Sequence, residues 1–196
     1  MSYVKQRQRN YSERMKLNKS RSRTMERNVA KKLGGNRVPM SGSGMLKGDG
    51  LVYFSRGLYI IECKFSALRM DEVHGLKPKM RFDYRWLKKL DEDVAAMKAR
   101  FGILVIQYHQ HSDYYVFLKE PIFRQYVSDT EPISDGIIEM RSGINLIKNT
   151  LDEKMQQSRC IRITTSVGEY VAMHIKTFKE LFDVREGQVD GGEYVQ

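Results

Sequence analysis

The chain has 196 residues and 41% hydrophobic content, enough for one ordinary folded domain with an extension and too apolar for a disordered chain overall. Its 34 Lys and Arg against 24 Asp and Glu leave a net charge of +10, which points to a polyanionic partner: nucleic acid most simply, an anionic membrane surface less so. No apolar run approaches the ~18 residues that span a bilayer, and the basic N-terminus lacks the apolar stretch of a signal peptide. Two cysteines suit free thiols in a reducing cytoplasm.

Residues 1–24 hold the basic side chains Lys5, Arg7, Arg9, Arg14, Lys16, Lys19, Arg21 and Arg23 against Glu13 alone, with Tyr3 and Tyr11 interleaved. This predicts a flexible basic arm over 1–20 that tracks phosphates, each neutralised phosphate steepening the salt dependence of binding. A solvated tail is the alternative, and the two overlap, since such arms often order only on nucleic acid. From Arg21 to Leu33, the apolar residues Met25, Val29 and Leu33 recur at i, i+4 and i+8, and Gly34-Gly35 supplies a stop, so a helix is expected. Glu26 lies one position off that stripe, at the boundary between core and solvent. Asn36 to Met40 reads as a short strand. The run Ser41-Gly42-Ser43-Gly44 reads as a loop whose backbone can approach a phosphate closely, or as a plain surface linker.

The chemistry is concentrated between Ser41 and Ser66. Two strands are expected there, joined by a short turn at Ser55, Arg56 and Gly57. Alternation sends Ile61, Cys63 and Phe65 to one face and Glu62 and Lys64 to the other. Folding the hairpin brings Asp49, near the start of the first strand, beside the far end of the second and within reach of Glu62. Two carboxylates and an amine then converge. Such oxygen ligands suit Mg²⁺, with Mn²⁺ as a substitute. A bound metal lowers the pKa of its water and polarises a phosphoryl oxygen, while a lysine orients the attacking water. The implied reaction is phosphodiester hydrolysis. The bland alternative is a Glu62–Lys64 salt bridge at a strand edge, worth ~0–1 kcal/mol.

These residues resemble the PD-(D/E)XK nucleases, and within them the archaeal-type Holliday junction resolvases and their phage relatives. The resemblance covers roughly Arg21 to Leu118 and runs through Glu26, the run Arg37-Val38-Pro39-Met40-Ser41-Gly42-Ser43, Gly48-Asp49 and Ile61-Glu62-Cys63-Lys64. It implies that Asp49, Glu62 and the Cys63 backbone carbonyl bind Mg²⁺ and that Lys64 serves the attacking water. It also implies that Glu26 is a further or supporting acid, and that Ser41 or Ser43 lies close to the scissile phosphate. Arg21, Arg23, Arg37, Lys47, Lys77 and Lys79 are the expected DNA contacts. Branched DNA is the implied substrate, a homodimer with two sites the implied assembly, and a prokaryotic or phage-infected cytoplasm the implied setting. Gly48 stands where the family often has a proline, which bears on the subfamily more than on the chemistry.

Ala67 to Arg81 is less regular, broken by Gly75 and Pro78, with His74 among Arg69, Lys77, Lys79 and Arg81. Phe82, Trp86, Leu87, Leu90, Val94, Met97 and Phe101 fall on one face, predicting a single helix over 82–101 closed by Gly102. Asp91, Glu92 and Asp93 follow one another about 100° apart and are expected on a solvated face. Ile103–Tyr108 and Tyr114–Leu118 predict two strands joined by a polar turn holding His109 and His111. The order is αβββαββ. With the resemblance it implies an α/β, restriction-endonuclease-like core over 21–127, a mixed central sheet flanked by helices.

Beyond Glu120 the resemblance stops. Pro121 can start a short helix. Ser128 to Gly136 reads as a loop or linker, Cys160–Ser166 and Glu169–Met173 as a hairpin, and Phe178 to Phe182 as an amphipathic helix. The expectation is an α+β extension over 128–183 and a frayed tail over 184–196. Tyr114-Tyr115-Val116-Phe117-Leu118 followed by Phe123-Arg124 echoes Glu169-Tyr170-Val171-Ala172-Met173 followed by Phe178-Lys179, but a strand-then-helix pattern recurs by chance and no duplication is read from it. Two function classes remain. One is a Mg²⁺-dependent DNA endonuclease, foremost a four-way-junction resolvase, with a restriction-like or repair enzyme cutting duplex or flap DNA beside it. The other is a catalytically inactive, basic DNA-binding protein whose acids are structural.

Overall fold

Helix α1 (20–32) forms where its apolar stripe is spaced for one face, and Met25, Val29 and Leu33 are all buried. It ends in a paired glycine stop. Gly34 takes φ 68°, its N–H donates to the Lys31 carbonyl, and the Gly35 N–H donates to that of Ala30, a pattern a residue with a Cβ adopts only under strain. The computed structural model to which this helix belongs describes residues 20–37, 48–54, 57–66, 79–108, 112–127, 131–139, 143–165 and 168–182.

After α1, β1 (Asn36–Arg37) pairs with β2 (Gly50–Phe54), and β2 folds back onto β3 (Gly57–Ser66) with Phe54 opposite Gly57 and Gly50 opposite Ile61. Then come β4 (Lys79–Asp83), α2 (Tyr84–Ala96), β5 (Phe101–Tyr108), β6 (Tyr114–Lys119) and α3 (Glu120–Tyr126). The remainder is β7 (Ile133–Glu139), β8 (Gly143–Ile147), α4 (Lys148–Gln157), β9 (Cys160–Thr165), β10 (Gly168–His174) and α5 (Ile175–Leu181). Eight strands make one mixed sheet in the order β1-β2-β3-β5-β6-β10-β9-β7, while β4 and β8 pair separately as a ribbon. The β3–β5 and β7–β9 pairs are parallel; the other pairs of the sheet are antiparallel. Residues 131–182 therefore continue the same sheet, through the β6–β10 pairing.

Helices cover both faces. Met25, Val29 and Leu33 of α1, Phe123 of α3 and Phe178 of α5 pack on one side with Ile61, Cys63, Val105 and Val116. Leu87 and Leu90 of α2 and Leu151 of α4 pack on the other with Ile60, Leu104, Ile106 and Phe117. This is why β5 and β6 are buried almost throughout, without the alternation of a half-solvated strand. Cys63 and Cys160 are buried and unpaired, and among the described residues no helix is long and apolar enough to cross a membrane.

The structure corrects several expectations. The helix expected over 82–101 is confined to Tyr84–Ala96. The Asp83 carboxylate caps its start by accepting the Arg85 N–H at 3.0 Å, and Lys98 at φ 51° ends it. Phe82 and Phe101 share the helical spacing by coincidence and lie in β4 and β5. Gly102 is a strand residue against which Leu90 packs so tightly that an added Cβ would sit 2.6 Å from Leu90 Cγ. Strand β4 occupies part of the stretch read as irregular, because its partner β8 lies far along the chain. Strand β7 takes up part of the expected linker. Asp91 and Glu92 are exposed as expected, but Asp93 is buried.

A polar clasp ties the start of α3, just after the central strand β6, to β9 and the edge strand β7. Arg162 on β9 donates from Nε and Nη2 to both Glu120 oxygens, at 2.7 and 2.8 Å, and from Nη1 to Asp135 at 2.7 Å. Arg162 holds the Glu120 carboxyl below its ordinary value of 4.5. Because the folded value is depressed, the stability it contributes is complete above about that pH and is lost as pH falls through the lowered value. Thermal unfolding followed from pH 6 to pH 3 should show a steeper loss of Tm for the wild type than for Glu120→Gln, with the two curves converging at the acid end. Parallel curves would mean that the clasp is energetically silent.

Candidate active site at the β2–β3 edge

Strand β3 outruns β2. The last described pair is Gly50 with Ile61, and the Asp49 N–H still bonds the Ile61 carbonyl at 2.8 Å. The next main-chain N–H on that edge belongs to Cys63, and the Asp49 carboxylate takes it: Oδ2 accepts it at 2.7 Å. In a strand the N–H and C=O of one residue face the same edge, so the Cys63 carbonyl faces that edge too. Gly48 makes this turn possible at φ 82°, where an added Cβ would lie 2.3 Å from Ile60 Cγ2. A proline, fixed near φ −65°, could not take up this conformation.

Glu62 sits on the α2 side of β3 and is buried at 6% exposure. The Lys64 ammonium donates to its Oε1 and lies 5.5 Å from the centroid of the Trp86 ring. Lys89 of α2 stands 4.0 Å from Glu62 Oε2 and 3.7 Å from Asp93 Oδ2. Burial first, then the nearby Asp49 charge, raises the Glu62 carboxyl above its ordinary value, against the pull of Lys64 and Lys89. Two carboxylates that repel each other are thus held together at one strand edge.

Glu26 approaches from the opposite face. It is buried on α1, where the Ser22 hydroxyl donates to its Oε1 at 3.2 Å. The Cys63 thiol, on the α1 face, is pushed well above its ordinary value, by burial first and then by Asp49, Glu26 and Glu62, so it stays protonated and inert. Among the described residues no three His, Cys, Asp or Glu side chains form a group able to hold a metal ion. Glu26 lies on the α1 side of β3, near enough that its charge acts on the same Cys63 thiol as those of Asp49 and Glu62. The donor set that remains, two carboxylates and a main-chain carbonyl, is hard and oxygen-only. It fits Mg²⁺ or Mn²⁺, which keep several waters and are commonly held by one or two carboxylates.

Of the other candidates, Arg21 and Arg23 are exposed on α1, and Arg37 and Lys79 lie in β1 and β4. Ser41, Ser43, Lys47 and Lys77 lie outside the described residues, as do His74, His109, His111 and most of the basic arm. Sequence reasoning missed Lys89 and Asp93, and it placed Trp86 in the core. The three recur at i, i+3 and i+7, one stripe of α2 facing Glu62 and Lys64. That stripe is readable only once β3 is known to lie beneath it. No protein-family model matches the chain, and no curated protein or solved structure matches it either.

A raised carboxyl pKa in the folded state penalises folding at neutral pH, where Glu62 must be ionised. Glu62→Gln removes that penalty and should leave the protein as stable as the wild type or ~0.5–2 kcal/mol more stable at pH 7. Mg²⁺ titrated into a thermal melt should raise the wild-type Tm and leave that of Glu62→Gln unmoved. A Glu62→Gln variant that is destabilised and still responds to Mg²⁺ contradicts this assignment.

Proposed function

We propose that the chain is a Mg²⁺-dependent DNA endonuclease acting on branched DNA, with the four-way junction as its foremost substrate. One observation carries the reading: Asp49, held by the Cys63 N–H, and the buried Glu62 are brought together beside Lys64 at the β2–β3 edge, close enough for the Asp49 charge to raise the Glu62 carboxyl despite two nearby lysines. A protein that merely clamps polyanions has no use for two crowded carboxylates at its edge. The net charge of +10 supplies the attraction to DNA, and most of it comes from the arm at residues 1–24.

Asp49, Glu62 and the Cys63 carbonyl would hold the metal, which, when bound, lowers the pKa of a water and polarises a phosphoryl oxygen. The residues of the chain do the rest. Asp49 keeps its orientation through the Cys63 N–H. Lys64 Nζ, tethered to Glu62 and backed by Trp86, orients the attacking water and offsets the negative charge that develops at the phosphate. Lys89 balances Glu62 and Asp93, so the acidic edge does not repel the DNA backbone outright. Glu26 adds negative potential behind β3. The buried free thiols suit a reducing compartment, such as the cytoplasm of a prokaryotic or phage-infected cell.

The test is digestion of a four-way junction, a flapped duplex and a linear duplex, each with Mg²⁺ or with EDTA. The reading expects nicks at the junction that require the metal. Asp49→Asn and Glu62→Gln should lose ~100-fold or more in rate, while junction binding in EDTA is undiminished, because removing negative charge does not weaken attraction to phosphate. Preferential cutting of flapped or linear duplex would move the substrate to that of a repair or restriction-like enzyme. No cutting of any DNA under Mg²⁺ or Mn²⁺ leaves a basic DNA-binding protein.

A further inference from the structure

The order β3-β4-α2-β5-β6-α3 is followed by β7-β8-α4-β9-β10-α5, the same six elements in the same sequence. In each set the first and fourth elements pair in parallel and the fourth and fifth as an antiparallel hairpin. In each, the first helix covers one face of the sheet and the second helix the other. The two sets meet at β6–β10, so the six strands read β3-β5-β6 and then β10-β9-β7, a palindrome.

Register makes the comparison strict. Phe117, fourth residue of β6 and three before α3, lies directly opposite Ala172, three before α5. From that pair outwards, Phe117 opposes Leu104 and Ala172 opposes Ile161; then Leu104 opposes Glu62 and Ile161 opposes Ser134. The separate ribbon obeys the same relation, since its central pair, Arg81 with Asn145, joins the third residue of each five-residue strand. Both pairings are thus centred on equivalent residues, as a twofold axis through the sheet requires. Buried side chains follow: Tyr115 with Tyr170, Val116 with Val171, Phe123 with Phe178, and Leu87 with Leu151. The Tyr115 hydroxyl donates to Asp152 of α4 at 2.5 Å, and Tyr170 lines a cleft with Leu87, Leu90 and Asp91 of α2, each tyrosine facing the other set's helix.

We infer that residues 57–127 and 133–182 are two copies of one unit fused in a single chain, and that the second copy occupies the partner's place while carrying no cutting centre. The relation puts Ser134 where the first copy has Glu62, Asp135 for Cys63 and Ile137 for Lys64. Strand β7 ends the sheet, so no described strand stands in the position of β2 to bring an aspartate. On the other face of the same strands, at the positions of Cys63 and Val105, Asp135 and Arg162 pair, and Arg162 reaches across to Glu120 of the first copy. The functional consequence rests on the endonuclease reading. One chain hydrolyses one phosphodiester bond per encounter, releasing a single nick, and β6 pairs with β10 of its own chain, the position a symmetric partner's β6 would otherwise take.

Two measurements on the full-length chain test this. Sedimentation at micromolar concentration should give the mass of one chain, and supercoiled plasmid or junction with Mg²⁺ should accumulate singly nicked product before any doubly cut product. Ser134→Ala should nick within about twofold of the wild type. A stable dimer, doubly cut product formed without a nicked precursor, or a tenfold loss from Ser134→Ala would each overturn the inference. If no DNA is cut, the endonuclease reading fails by itself, and the mass alone then decides: one chain supports the fused pair and a dimer refutes it.

Discussion

The structure around the candidate site depends on the bond from the Cys63 N–H to the Asp49 carboxylate. A strand that outruns its neighbour leaves main-chain groups unpaired, and a buried unpaired amide costs as much as a lost hydrogen bond. Here a side chain closes the ladder instead of a strand. The left-handed Gly48 turns the chain so that Asp49 can do this, and the same act sets a carboxylate against Glu62. The local solution to a backbone problem therefore creates an acidic pair at the β2–β3 edge. Lys64 and Lys89 pair with Glu62 on the α2 side, with Trp86 against Lys64, and Glu26 lies on the α1 side.

How much of this was legible in the sequence depends on how local the cause is. Helix α1, the β2–β3 hairpin, the β5–β6 pair and the β9–β10 hairpin are written in short-range periodicity and turn residues, and they stand close to where alternation and glycine stops put them. The meeting of Asp49 and Glu62 was legible for the same reason, since a tight hairpin fixes register. What was not legible depends on distant partners. The residues of β4 have no reason to be a strand until β8 arrives to pair with them, and the end of α2 is set by a single cap that an apolar stripe running on to Phe101 conceals. Asp93 looked solvated because its neighbours are. Only the fold shows that it turns inward toward Lys89.

The repeated half explains why the echo between Tyr114–Arg124 and Glu169–Lys179 was too faint to argue from sequence. Two copies keep what packing demands, the buried tyrosine, valine and phenylalanine of each strand and helix, and diverge wherever the surface or the chemistry differs. The first copy spends its strand edge on crowded acids. The second has Ser134 and Ile137 at the positions of Glu62 and Lys64, and carries its charges instead on the opposite face, where Arg162 links Asp135 to Glu120 of the first copy.

The measurement that bears most directly on this account is the stoichiometry of divalent metal, read by electron paramagnetic resonance as Mn²⁺ is titrated into the wild-type chain and into Asp49→Asn. The account predicts one bound ion per wild-type chain, displaced by excess Mg²⁺, and its loss in the variant. Two equivalent ions per chain, or a single ion bound equally well by Asp49→Asn, would contradict it.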